Sequence, residues 1–328
     1  MVRHSKPRAG SLQFWPRKRA KRIYPRVKNW PELDIPKIPG FACYKAGMLH
    51  ISFIDNRKNS PTKGEEITVP VTVLDCPPLS VVGLRFYSEN QNGFYIFDEI
   101  WDENIEKDKD IKRKIIVGKR KHSEKFKKIE ENLDKIKKIR IIVKTNPRDS
   151  GIGKKKPEIF EIEVTGKDIK EKFDYSKGLL GKELTVKDIF KEGEFVDVIS
   201  ISKGKGTQGP VKRFGIKIQC RKNKKKGRLI GTLGSEKPGK TPWTIAMSGQ
   251  LGFQQRTEFN KKILKIGEDG KEITPKAGFT GYGIVPKDYI FLHGSVPGPR
   301  KRLIILRNCI RPPKQPPTPV EIKTISSK

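Results

Sequence analysis

The sequence predicts a mainly β protein: a closed or nearly closed sheet, interrupted by an α+β module and carrying long basic extensions. Three observations predict it. Short runs rich in β-branched and aromatic residues occupy 41–89 and return between 192 and 310. Between them the composition is charge-balanced and in part helical, with 28 Lys or Arg against 22 Asp or Glu from Leu84 to Glu192. Ser202–Thr257 then holds 14 Lys or Arg, the single acid Glu236 and many glycines, with no apolar periodicity long enough for a core.

The totals narrow the partner. A 328-residue chain can bury a real core in two or three domains. Its net charge of +34 and pI near 10.0 mean self-repulsion in isolation and attraction to a polyanion. Nucleic acid comes first and an anionic membrane surface second. The membrane is disfavoured because no run approaches 18 apolar residues and no long basic amphipathic helix stands out. The N-terminus has basic residues without an apolar segment, so it is not read as a secretory signal. Cys43, Cys76, Cys220 and Cys309 are far apart and form no CxxC pair, which fits thiols in a reducing, cytosolic compartment.

Taken in order, residues 1–31 hold ten Lys or Arg and no acid, with Phe14, Trp15, Tyr24 and Trp30 interleaved. Aromatics are what a merely solvating tail lacks, so cations on phosphates and rings against bases are expected. Pro31, Pro36 and Pro39 mark an extended linker. FACYKAGMLHISFID (41–55) and EEITVPVTVLD (65–75) read as strands around the turn-rich NRKNSPTKG, and LSVVGLRFYSE (79–89) follows. In Lys119–Lys138 the residues His122, Phe126, Ile129, Leu133 and Ile136 share one helical face, His122 as a packed residue. IRIIVKTNP and IFEIEV read as strands, and GKDIKEKFDYS as a second helix. EGEFVDVISISK (192–203), NKKILKIG (260–267), KDYIFLHGSV (287–296) and RKRLIILRNCI (300–310) return to strand pattern. The Pro-rich end is expected to be an extended tail.

Two motifs tempt and fail. GKGTQG (204–209) fits GxGxxG, but Pro210 follows directly, the alternating VKRFGIKIQ reads as no helix, and Lys222–Lys226 stands where a ribose-binding carboxylate belongs. GSEKPGKT (234–241) fits the phosphate-loop pattern, with Lys240 and Thr241 in register. No firm strand precedes it, Pro242-Trp243 follows it, and no strand ending in aspartate comes later. Four dispersed histidines and the absence of HExxH or GxSxG argue against metal or nucleophilic catalysis, so neither an enzyme nor a cofactor is expected.

KGKGTQGPVKRFG (203–215), GTLG (231–234), TPW (241–243) and MSGQLGFQQRTEFNKKILKIG (247–267) resemble the ribosomal protein L-three family of the large ribosomal subunit. PRAGSLQFWPRKR (7–19) and YKAGM (44–48) are similar to its archaeal and eukaryotic branch. The resemblance implies a translation-protein-type barrel with an α+β insertion and two rRNA-penetrating extensions. It implies a non-enzymatic, early binder of 23S-type rRNA near its 3′ end, in the cytoplasm, whose central extension approaches the peptidyl transferase region. Neighbours of the L-fourteen and L-twenty-four-e families are implied as well. One departure is Gln254 and Gln255, where related sequences often have a histidine.

These readings partition the chain into a basic extension (1–40), a barrel (41–84 and 193–312) with the central extension at about 204–257, an inserted module (85–192) and a tail (313–328). The expected rRNA contacts are Arg3, Lys6, Arg8, Arg17, Lys18, Arg19, Lys21 and Arg22, then Lys203, Lys205, Lys212, Arg213, Lys240, Trp243, Gln250 and Arg256. Both extensions are expected to take shape only against RNA. A free-standing RNA chaperone or modifying factor and a nucleotide hydrolase using Gly234–Thr241 are the rival readings.

Overall fold

The computed structural model describes residues 10–57, 60–116, 123–223, 225–237, 239–314 and 318–326, apart from the side chains of residues 123 and 124. Arg3, Lys6, Arg8 and His122 lie outside the described residues. Strands β1 (Gly40–Ile54), β2 (Glu66–Asp75), β3 (Leu79–Asn90) and β4 (Gly93–Trp101) come first. Helices α1 (Lys109–Lys112) and α2 (Ser123–Glu131) lead to β5 (Ile136–Thr145) and β6 (Ile159–Glu163). Helix α3 (Ile169–Leu179), β7 (Glu183–Leu184) and α4 (Val186–Ile189) return the chain to β8 (Phe195–Ile201). After them come β9 (Thr207–Gln208), α5 (Pro210–Phe214), β10 (Gly249–Gln250) and β11 (Gln255–Gly267). Strands β12 (Tyr289–His293), β13 (Leu303–Asn308) and β14 (Ile322–Ser326) close the order. The chain divides into two units, 24–200 with 257–328 and 1–23 with 201–256.

The larger unit is built on a seven-stranded sheet in the order β13-β8-β11-β12-β2-β1-β14. Strand β13 also pairs with β1, so the pairings return to their start. The reason is visible along β2, where alternating exposure over its first half gives way to the continuously buried Val71–Asp75. Strands covered on both faces need such runs. Phe41, Val71, Val73, Phe291 and Ile304 are fully buried here, and each aliphatic or aromatic side chain removed from water stabilises by about 1.5–3 kcal/mol. Arg307 stands opposite Asp197 in the β8–β13 register, and the two form a buried ion pair of 2.9 Å. Arg307 Nη1 also donates to the Asn29 carbonyl at 2.6 Å, which ties the segment before β1 to the sheet.

A five-stranded sheet, β4-β3-β5-β6 with β7 on β3, forms the inserted module. Phe173 of α3 packs against Phe86 of β3 and Phe126 of α2, with ring centroids 5.9 and 6.3 Å apart. Its other face is a lattice of ion pairs joining Arg85, Arg140 and Lys138 to Glu99, Glu161 and Glu163. These paired charges are the charge balance read from the composition.

Several boundaries move. The barrel was expected to run to Leu84, but β3 lies wholly in the second sheet, because alternation shows a strand without showing which sheet it joins. The helix expected over Lys119–Lys138 ends at Glu131, and Ile136 opens β5. Its apolar spacing fits a helix, but the β-branched IRIIV that follows favours a strand. The extended tail supplies β14, which pairs with β1 from His50↔Ser326 to Phe53↔Ile322 once the prolines end. The N-terminal extension is not one piece: Tyr24 packs on Phe160 and Trp30 on Gly40, so 24–40 belong to the body.

Candidate nucleic-acid interface

The smaller unit carries 22 Lys or Arg and one acidic residue, Glu236. Its frame begins where β9 pairs with β10, Thr207 opposite Gln250 and Gln208 opposite Gly249. Leu251 N donates to the Gly206 carbonyl at 2.9 Å and Ser202 N to the Gln254 carbonyl at 2.9 Å. Gly252 sits at φ 72°, and a side chain there would run into the Lys203 carbonyl, so glycine is required at this crossing.

A helix opens at Pro210, against the sequence expectation. Proline at the first helical position is set for φ near −65° and lacks an N–H that would have no partner there anyway. Gly215 ends the turn at φ 70°, its N–H donating to the Val211 carbonyl at 2.8 Å. Five residues of helix among antiparallel pairings do not make a dinucleotide-binding unit, so the rejection of GKGTQG stands on different grounds. The described residues of GSEKPGKT hold turns, bends and irregular backbone, and among the described residues no helix starts after Thr241.

The roots of the two extensions pack on one another. Trp15 stacks on Phe214 at 5.6 Å and 21°, and meets Trp243 edge-on at 5.3 Å. The Arg17 guanidinium lies 4.2 Å above the Phe214 ring and that of Arg213 4.9 Å away. Arg17 donates to the Arg213 carbonyl at 2.6 Å, while Arg213 donates to the Gln250 carbonyl at 3.1 Å and the Met247 carbonyl at 2.9 Å. Ala20 N donates to the Phe253 carbonyl at 2.8 Å, and the Arg256 guanidinium lies 5.1 Å from the Phe14 ring. Protein contacts thus join the roots of the two extensions, whereas none of the described residues from Gly215 to Leu251 is buried.

The expected contact residues sort into two groups. Lys18, Arg19, Lys21, Arg22, Lys203, Lys205, Lys212, Lys240 and Trp243 are exposed, Trp243 to 69%. Arg17, Arg213, Arg256 and Gln250 are half-buried and engaged with the protein. Burial lowers the pKa of each of these arginines, and the Arg17 charge adds to the effect at Arg213 and Arg256. Gln250 Nε2 donates to the Leu251 and Gly252 carbonyls and so holds the turn. Gln254, one of the two glutamines noted as a departure from the family resemblance, is buried; its Oε1 accepts from Arg256 Nη2 at 3.0 Å. Sequence reasoning missed Phe214, the ring on which Trp15 stacks; its only signal was an apolar residue between Arg213 and Gly215. Two buried donors, Trp15 Nε1 and Arg17 Nε, have no acceptor among the described residues.

The model of the family described as ribosomal protein L3 matches residues 1–327. The chain belongs to that family. It is 50% identical over 316 residues to the large ribosomal subunit protein uL3 of Methanopyrus kandleri, covering 95% of this chain and 87% of that one. The protein of the same description from Methanocaldococcus jannaschii is 47% identical over 311 residues, 94% of this chain and 92% of its own. That of Methanosphaera stadtmanae is 45% identical over 333 residues, 100% of this chain and 98% of its own. All three family members are archaeal, in keeping with the branch that PRAGSLQFWPRKR pointed to.

Proposed function

We propose that the protein is a structural constituent of the large ribosomal subunit that binds its 23S-type rRNA and catalyses no reaction itself. The observation that carries this reading is the sorting of cations in the smaller unit. Half-buried arginines fix the root, exposed lysines and arginines face outward, and a glycine-rich loop around Trp243 leaves its backbone open to close approach. In this reading the body is a barrel of the translation-protein kind. The protein binds early near the 3′ end of the rRNA, with proteins of the L-fourteen and L-twenty-four-e families as neighbours. Its central extension reaches toward the peptidyl transferase region, where Trp243 stacks on a base or wedges between two.

Sedimentation of large subunits through increasing salt tests the reading. Stoichiometric retention at moderate salt is expected, and release there marks a dissociable factor instead. Replacing Lys203, Lys205, Lys212 and Lys240 with Gln should weaken rRNA binding and flatten its salt dependence by about 0.7–0.9 per lost phosphate contact. An unchanged slope would place the contacts elsewhere.

A further inference from the structure

Phe86–Glu106 is the part of this chain least suited to RNA. These residues contain no Lys or Arg and six acids, in a protein whose net charge is +34. They form the β3–β4 hairpin and the turn after it, and β4 is an edge of the five-stranded sheet. Phe94, Tyr95 and Ile96 follow one another on that edge, each exposed to nearly half or more. Edge strands are ordinarily protected by Lys, by Pro or by a covering element. Between Phe86 and Glu106 there is no Lys and no Pro, and the bulge in the β3–β4 pairing falls at Phe97, past the exposed Phe94–Ile96 run. Among the described residues, Lys125 of α2 covers the far end of β4, donating to the Glu99 carbonyl at 3.0 Å and pairing with Asp98, and the Lys138 ammonium lies 4.8 Å from the Phe94 ring without bonding to the strand's backbone. Among the described residues nothing pairs with the outer edge of Gly93–Phe97.

The local charge decides the occupant. Glu89, Glu103 and Glu106 have no ion pair among the described residues, whereas the neighbouring cations Lys125, Lys138 and Arg85 are already bound to Asp98, Glu163 and Glu99. Phosphates would be repelled here and a basic polypeptide attracted. We infer that the β3–β4 hairpin is a docking strand for an extended, Lys/Arg-rich segment of a second protein, which adds to the sheet along Gly93–Phe97. Main-chain hydrogen bonds to the free edge hold the segment, Phe94, Tyr95 and Ile96 receive its apolar stems, and the glutamates meet its charges. The inference rests on the ribosomal reading, because a subunit supplies the basic proteins that carry such segments.

Two photocrosslinking positions test it in large subunits assembled with the full-length chain. p-Benzoylphenylalanine at Trp243 reports on rRNA, and at Tyr95 on the docking strand. The expected product at Tyr95 is one subunit protein, joined through a Lys/Arg-rich peptide identified by mass spectrometry. Ile96→Lys and Glu89→Lys should each reduce that product about tenfold, the effect of losing one central anchor, with subunit incorporation unchanged. A crosslink from Tyr95 to RNA, to a second copy of this chain or to nothing overturns the inference while the Trp243 product is still formed. Failure of the chain to sediment with subunits overturns the ribosomal reading instead.

Discussion

Arg213 shows how a cation in a basic extension can serve the protein's own structure. Its guanidinium caps two carbonyls and lies near the Phe214 ring, a geometry that a lysine ammonium cannot reproduce. Arg213→Lys should therefore loosen the root by about 1–2 kcal/mol, read as faster amide exchange at Gly215. Lys212→Gln next to it should leave that exchange unchanged and lower rRNA affinity alone. Trp243→Ala should alter stability by no more than about 0.5 kcal/mol, since the residue is 69% exposed, whereas Phe214→Ala should cost about 3 kcal/mol. In the body, Asp75 is buried, with Oδ2 accepting from the Tyr282 hydroxyl at 2.5 Å and from Gly151 N at 3.3 Å. Burial raises its pKa to about 6 from 3.8. The unfolded chain releases that proton first, so stability from this group is complete below pH 3.8 and is lost as pH rises toward 6. Asp75→Asn should flatten the melting profile between about pH 4 and 6, and a slope equal to that of the parent would discount the role of Asp75.

At the scale of elements, β8 and β13 depend on a charge pair inside the sheet. Arg307→Met would leave Asp197 buried without its cation, which should cost about 3–5 kcal/mol in denaturant unfolding and free the segment around Asn29. The central extension behaves oppositely, because none of the described residues of its distal loop is buried and the loop meets the root through the exposed Trp243. Replacing 216–246 with a short Gly-Ser turn should preserve the body and the contact of Trp15 with Phe214. The same change removes nine Lys or Arg residues and should make rRNA binding much less salt-dependent. Strands were largely legible at this scale, since their periodicity is local. The ends of α2 and β3 were not, because apolar spacing across a boundary fits two structures and only the neighbouring element selects one.

Charge is divided across the molecule by function. The inserted module pairs charge within itself through the Arg85, Arg140 and Lys138 lattice, the smaller unit concentrates 22 cations, and Phe86–Glu106 contains none. In the isolated protein the uncompensated cations repel one another, so its melting temperature should rise from low to moderate ionic strength as screening improves. No rise would mean that bound counter-anions already neutralise the smaller unit.

The residues alone predicted a β protein with a charge-mixed insertion, cationic extensions and a polyanionic partner, because periodicity and charge are properties of neighbours in the chain. The family was equally legible, in KGKGTQG and MSGQLGFQQRT. Tertiary structure decided which cations remain free. Arg17, Arg213 and Lys212 read alike in sequence, yet the first two are engaged at a ring some 200 positions away from Arg17 while Lys212 faces water, since burial depends on contacts distant along the chain. The same holds for β3 and β14, whose sheets are chosen by partners no local pattern names.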